Sequence, residues 1–210
     1  MEKITQENSK EKILKAAIKL FAEKGFDGTS IREICKEAEV NICMISYYWG
    51  GKKELYQGII EDLVEKQTVF AKSFIDLNKS PLEYPQEKRL EMLFTILDKI
   101  VDFFYSTSNI TSDLVVLMIK EQQKSDFKMN VPVFLYFRKL VAAIFEKDEN
   151  DREIIYRTVF ILSQINSPKI LSAMSLRPLG QNEFNQEDIK IIKENVKFYV
   201  QALLKEAKIV

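Results

Sequence analysis

TSIREICKEAEVNICMISYYWGGKK, residues 29 to 53, decides the fold. Ser30 and Glu33 stand in capping-box register, where each side chain bonds the other's backbone amide, so a helix starts near Ile31. Ile31, Ile34, Cys35 and Ala38 then fall on one face. The break that follows is only Glu39, Val40 and Asn41, and Asn41 is a good N-cap for a second short helix, Ile42 to Tyr48. Two short helices joined so tightly describe a helix-turn-helix. In that arrangement the second helix enters a major groove with its N-terminal residues near base edges, while the first crosses the backbone.

Outward from this stretch the chain reads as helix nearly throughout. Upstream, apolar residues recur at helical spacing from Ile13 to Phe21, and Gly25 suits the left-handed residue that closes a helix. Downstream, three aromatics (Tyr47, Tyr48, Trp49) run into Gly50 and Gly51 and then into Lys52 and Lys53. Glycine and proline otherwise cluster at a few punctuation points, and alternating strand patterns are missing. The periodicity predicts helices at about 9–24, 31–38, 42–48, 52–77, 86–106, 110–124, 131–147, 150–166, 168–175 and 186–206. The expected fold is all-α. A three-helix head, residues 1–51, precedes a multi-helix bundle, residues 52–210, with about nine to ten helices in total.

Composition narrows the function. The 210 residues are 46% hydrophobic, enough for a sizeable core in one or two domains. The longest apolar runs fall well short of the roughly 20 residues that cross a bilayer, and MEKITQENSKEK lacks an apolar signal segment. These features, with only two cysteines, place the expected protein in the cytoplasm with no membrane partner. Histidine is absent, which removes His-dependent nucleophile triads and His-based metal sites. No phosphate-loop glycine pattern occurs, and 31 carboxylates are balanced by 31 basic residues at helical spacing. No catalytic residue, metal site or cofactor is expected, and the chain does not read as an enzyme. Charge adds no strong pull toward nucleic acid: residues 1–56 hold ten basic and nine acidic side chains, a net of plus one. Specific docking would then rest on geometry and on two heads acting together.

The stretch ILKAAIKLFAEKGFDGTSIREICKEAEVNICMISYYWGGKKELYQGII resembles the N-terminal DNA-binding domain of TetR-type transcriptional regulators, ungapped over about residues 13–60. The A..LF.E.G start, the TS cap, the short turn and the aromatic-to-lysine exit carry the likeness. ILSQINSPKILSAMSLRPLG is similar to the C-terminal part of a subgroup whose head has a Y-[FW]-G-G-K-E-type exit. The resemblance implies base contacts at Asn41, Ile42, Cys43, Met44 and Ser46, and phosphate contacts at Thr29, Tyr47, Tyr48 and Lys52. Trp49 stands where the family usually has Phe, as a plug of the small core. Three departures matter. Glu39 replaces the usual turn glycine, so either it adopts an unusual backbone angle or the turn differs. Cys43 and Ser46 also replace the residues most often found there. The second helix has no Arg or Lys, so it lacks the common guanine reader, and an A·T-rich operator is the expectation. No basic group adjoins Cys43 in sequence to activate its thiol, so it reads as a contact residue rather than a redox sensor.

The resemblance further implies a homodimer formed through about residues 150–166 and 186–206, and hence a palindromic double-stranded operator. It implies a pocket for a small apolar or amphipathic ligand, for which Phe103, Phe104, Met118, Glu121, Gln122, Phe137, Arg138 and Phe160 are the candidates. The expected function is a ligand-released repressor controlling an efflux or catabolic operon. The rival is a helical dimer that binds DNA architecturally, or a protein partner, without an inducer.

Overall fold

The structure is a computed structural model that describes residues 2–105, 110–123 and 131–210, with side chains from Ser9 onward. Among the described residues it is entirely helical: α1 (Glu2–Lys24), α2 (Ile31–Glu37), α3 (Cys43–Trp49), α4 (Lys52–Lys72), α5 (Gln86–Tyr105), α6 (Ser112–Gln122), α7 (Pro132–Ile144), α8 (Arg152–Ile170), α9 (Ser172–Ser175) and α10 (Gln186–Glu206), with 3-10 turns at Pro81–Glu83 and Arg177–Leu179. No described helix is long and apolar enough to cross a membrane.

Packing divides the chain into two units. The first contains α1–α3, α4 up to Lys66, and α6; the second contains the chain from Gln67 through α5, then α7 to the C-terminal residue. In the first, Ile13, Ala17, Phe21, Ile34, Ile45 and Leu55 are essentially solvent-free. Phe21, Phe26 and Tyr56 meet around them, with Tyr56 edge-on to both phenyl rings at 5.1 and 5.2 Å. Helix α6 joins this unit by packing on α1, where Lys120 Nζ donates to the Ala22 carbonyl at 2.5 Å. On α4 the Tyr56 hydroxyl donates to the Glu121 carboxylate.

In the second unit α5, α7, α8 and α10 share one core. Ile189, Ile192, Val196, Val200 and Leu204 recur at three- and four-residue intervals and make the buried stripe of α10. On α8 the corresponding stripe is Ile154, Thr158, Ile161, Ile165 and Lys169. Both helices also carry apolar residues away from that core: Ile155, Tyr156, Val159 and Phe160 on α8, and Ile191 and Phe198 on α10, are exposed.

Two helix boundaries correct the sequence expectation. Pro168 does not divide two helices; α8 runs through it to Ile170, and a short α9 follows only after Leu171. Proline removes one donor and crowds the preceding turn. Here the Ser167 hydroxyl donates to the Ser163 carbonyl at 2.6 Å, and the buried Lys169 ammonium donates to the Phe104 and Ile110 carbonyls at 2.5 and 2.6 Å. The last turn is thereby anchored on both sides of the proline. Helix α4 ends at Lys72 rather than near residue 77. The Ser73 hydroxyl donates to the Phe70 carbonyl at 2.6 Å, and Asp76 accepts from the Asn78 amide at 3.0 Å in an Asx turn. The expected ends at 106 and 124 lie outside the described residues.

Candidate nucleic-acid interface

The head is assembled by its caps. Gly25 takes φ +76° and returns its amide to the Phe21 carbonyl at 2.9 Å, closing α1. Both halves of the capping box at α2 are formed: Ser30 Oγ accepts from the Glu33 amide at 3.2 Å, and Glu33 Oε2 accepts from the Ser30 amide at 2.9 Å. Glu33 also accepts from Lys24 at 2.7 Å. The Lys24 ammonium, then the Ser30 hydroxyl and amide, pull the Glu33 carboxyl from an ordinary 4.5 down to about 2.

The turn resolves the question that Glu39 raised. Its φ is +55°, the left-handed conformation that glycine adopts most easily. Around it the amide of Val40 bonds the Cys35 carbonyl at 3.0 Å and that of Glu39 bonds the Lys36 carbonyl at 3.3 Å. This pair of bonds is a Schellman closure. The closure keeps its geometry with glutamate at the strained position. Asn41 then starts the next helix: its Oδ1 accepts from the Cys43 amide at 2.9 Å, and its carbonyl accepts from the Met44 amide at 3.0 Å.

Helix α3 presents two faces. Ile45 is wholly buried and fixes the helix to the head, while Ile42, Cys43, Ser46 and Tyr47 are exposed. Met44, Tyr48 and Trp49 are half-buried. Tyr47 is 70% exposed, and its ring lies edge-on to Tyr48 at 5.1 Å. Trp49 is only partly covered, packing toward Gly58 of α4, where an added Cβ would come within 3.4 Å of the indole. Ile42, Cys43 and Ser46 line an open groove of about 820 Å³ with the start of α2 and with Lys52. The groove exposes side chains of mixed chemistry at a helix N-terminal end, as groove-reading helices do.

Two residues expected at phosphates have another use within the fold. Thr29 is 2% exposed, and its hydroxyl donates to the Gly25 and Leu20 carbonyls at 2.8 and 3.1 Å. Its side chain therefore locks α1 to α2 instead of facing outward. Lys52 donates to the Phe26 and Thr29 carbonyls, each at 2.8 Å, and lies over the Phe26 ring at 4.3 Å. The sequence reading missed Arg32, which is exposed in the wall of the same groove. It is the only arginine in residues 1–56, and that scarcity was the available signal.

The ligand-pocket candidates fall in both units. Met118, Glu121 and Gln122 lie on α6, in the head's unit. In the other, Phe103 and Phe104 meet at 5.9 Å, Phe137 is fully buried, and Arg138 stands 3.9 Å from Glu149. Phe160 instead sits 54% exposed on the outer face of α8, stacked against Tyr156.

Fold and groove together define a helix-turn-helix DNA-binding protein. Residues 13–59 match the family model for bacterial regulatory proteins of the tetR family, and residues 91–207, more than half of the chain, match the C-terminal domain of the HTH-type transcriptional dual regulator CecR. The chain belongs to the TetR family of transcriptional regulators, whose members are not enzymes. It is 25% identical to CecR of Shigella flexneri over 218 residues, covering 96% of this chain and 93% of that protein. It is 36% identical to the probable HTH-type transcriptional regulator YttP of Bacillus subtilis (strain 168) over 117 residues, 51% of this chain and 54% of that one. Among solved structures it resembles a mutant of HlyIIR with residues 170–185 substituted by alanine, at a TM-score of 0.51 and 25% identity over 91% of this chain and 95% of that one.

Proposed function

We propose that this regulator is a homodimeric repressor that binds a palindromic operator and is released by a small apolar or amphipathic ligand. The observation that carries the reading is α3, which buries Ile45 and turns Ile42, Cys43, Ser46 and Tyr47 outward into an open groove. Residues 1–51 serve as the DNA-binding head, and residues 52–210 as the ligand-binding and dimerisation part. Asn41, Ile42, Cys43 and Ser46 are the base-facing set, with Met44 at its edge. Tyr47 and Tyr48 contact the sugar-phosphate backbone, and an ammonium has three donors, so Lys52 keeps one for a phosphate.

Dimerisation is supported by the two faces of α8 and α10. Each helix buries one apolar stripe in its own core and leaves a second exposed, as a four-helix bundle with a second copy requires. Such a dimer holds its α3 helices about 34 to 36 Å apart, one turn of DNA.

Release is supported by the fastening of α6 within the head's unit. Lys120 reaches the Ala22 carbonyl on α1, and Tyr56 on α4 bonds Glu121. A ligand that favours a displaced α6 therefore moves α1 and α4, and the head spacing no longer fits successive grooves. Phe103, Phe104 and Phe137 supply aromatic side chains to the interior of the second unit. The reading places the protein in the cytoplasm and its genes of action in an efflux or catabolic operon. CecR is by name a dual regulator, so activation at a second promoter is the variant of this reading that it brings.

A gel shift on DNA upstream of the protein's own gene and its neighbours, repeated with candidate ligands, tests the proposal. A specific shift released by a ligand is the expected result. The absence of any specific shift contradicts it, and a shift that no ligand releases favours the rival, a helical dimer binding DNA without an inducer.

A further inference from the structure

The buried stripe of α8 ends on a charge. After Ile154, Thr158, Ile161 and Ile165 the next position in register is Lys169, which is 9% exposed. Among the described residues it is the only charged side chain to be nine-tenths buried. Its ammonium donates to the Phe104 and Ile110 carbonyls at 2.5 and 2.6 Å and lies 5.4 Å from the centre of the Tyr105 ring. Tyr105 is itself buried, edge-on to Phe184 at 4.9 Å. Among the described residues no carboxylate pairs with this ammonium, and burial alone holds its pKa below that of an ordinary lysine. Lys193, more exposed in the same unit, is given two carboxylates, Asp98 at 3.0 Å and Asp102 at 2.8 Å.

Holding two carbonyls does not need a charge. A glutamine amide or a hydroxyl satisfies them without the cost of burying an ion. The C-terminal dipole of α5, which ends at Tyr105, offsets about half a charge at most. An ammonium has three donors, and two of these are used. We propose that Lys169 is the anion-binding residue of the effector site, and that the releasing ligand is a monocarboxylic acid whose carboxylate takes its third donor. The proposal rests on the ligand-release reading above and gives that ligand a head group. One carboxylate supplies the missing counter-charge, whereas a phosphate dianion would bury an excess. The same ammonium holds Ile110, and the next residue, Thr111, caps α6 by accepting from the Leu114 amide at 3.2 Å. A carboxylate that draws the ammonium off Ile110 therefore acts at the start of the helix whose other end is fastened to α1 and α4.

Calorimetry with the full chain tests this. The probes are hexanoate, decanoate, dodecanoate, benzoate and phenylpropionate, each paired with the primary alcohol of the same skeleton. At least one acid is expected to bind about 10- to 150-fold more tightly than its alcohol, the effect of one charged hydrogen bond. Lys169→Gln, which still offers donors to the carbonyls, should bind that acid and its alcohol alike. Lys169→Arg should keep the preference, with circular dichroism confirming that each variant is folded. On the wild type, a water-soluble carbodiimide joins a carboxylate to an amine in contact with it. Peptide mapping should then find the bound acid on Lys169, a readout that stands even where a variant does not fold. The proposal is overturned if no acid outbinds its alcohol, if the preference persists in Lys169→Gln, or if the acid couples elsewhere and not to Lys169. Acid binding at Lys169 that leaves a bound operator in place, read by gel shift, overturns it as well. A chain that binds the acid at Lys169 but no operator fails the DNA-binding reading instead, an outcome distinct from these.

Discussion

The Lys52 ammonium donates to the Thr29 carbonyl at 2.8 Å, tying the first turn of α4 to the residue just before the α2 cap. A second bond, to Phe26, has the same length. Charged hydrogen bonds of this kind contribute about 1.5–3 kcal/mol. Lys52→Ala is expected to lower the urea-denaturation stability of the free protein by about that amount. A lysine that served only a phosphate would weaken DNA binding and leave the midpoint in place.

Glu39 holds φ +55° in the turn between α2 and α3. A left-handed conformation costs a non-glycine residue about 1–2 kcal/mol, and glycine avoids it. Glu39→Gly should raise the thermal midpoint of the head. It also removes a negative charge beside the DNA-facing helix, so operator affinity at low salt should rise, with the gain shrinking as salt is added. Calorimetry and a salt series of binding isotherms check both parts, and an unchanged midpoint counts against strain at this residue.

Legibility differed by residue. The Ser30–Glu33 box, the Asn41 cap and the Gly25 closure depend on contacts within a few residues, and the sequence displayed each of them. Thr29 and Lys52 were read as phosphate contacts alone, and their bonds within the fold were not legible because the partners, Leu20, Gly25 and Phe26, come from elsewhere in the head. Arg32 escaped notice for a similar reason: the groove that it lines forms only when α2 and α3 fold against each other. Pro168 was read by its local preference, whereas Lys169 anchors the helix end through carbonyls some sixty residues away in sequence. For the ligand candidates, periodicity could not separate the buried Phe137 from the outward Phe160.

Acid should loosen the start of α2. The folded-state pKa of Glu33, about 2, lies below its ordinary 4.5, so the ionised carboxylate favours the fold. That contribution is complete above about pH 4.5 and is lost as pH falls toward 2. Glu33→Gln should flatten the pH dependence of the thermal midpoint in that window and leave the slope above pH 5 unaltered. An identical slope for both proteins between pH 4.5 and 2 would refute the role given to Lys24 and Ser30.

The outer face of α8 and α10 should control assembly. Phe198 is 73% exposed in the single chain, so Phe198→Glu changes monomer stability little, within about 0.5 kcal/mol. Sedimentation equilibrium should show wild-type dimers and a Phe198→Glu, Val159→Asp double variant that is monomeric and has lost most of its operator affinity. A double variant that remains dimeric would place the interface elsewhere.

The most direct test uses the protein's own thiols. Cys43 is exposed on α3 beside Ser46, and Cys35 is buried, so the alkylation rate of Cys43 reports the solvent access of the proposed reading face. With the operator at saturation the account predicts at least about a tenfold slower reaction at Cys43, reversed by the releasing ligand, while nonspecific duplex at the same concentration leaves the rate near that of the free protein. Alkylation of Cys43 at the free rate while the operator is fully bound would contradict the claim that α3 reads DNA.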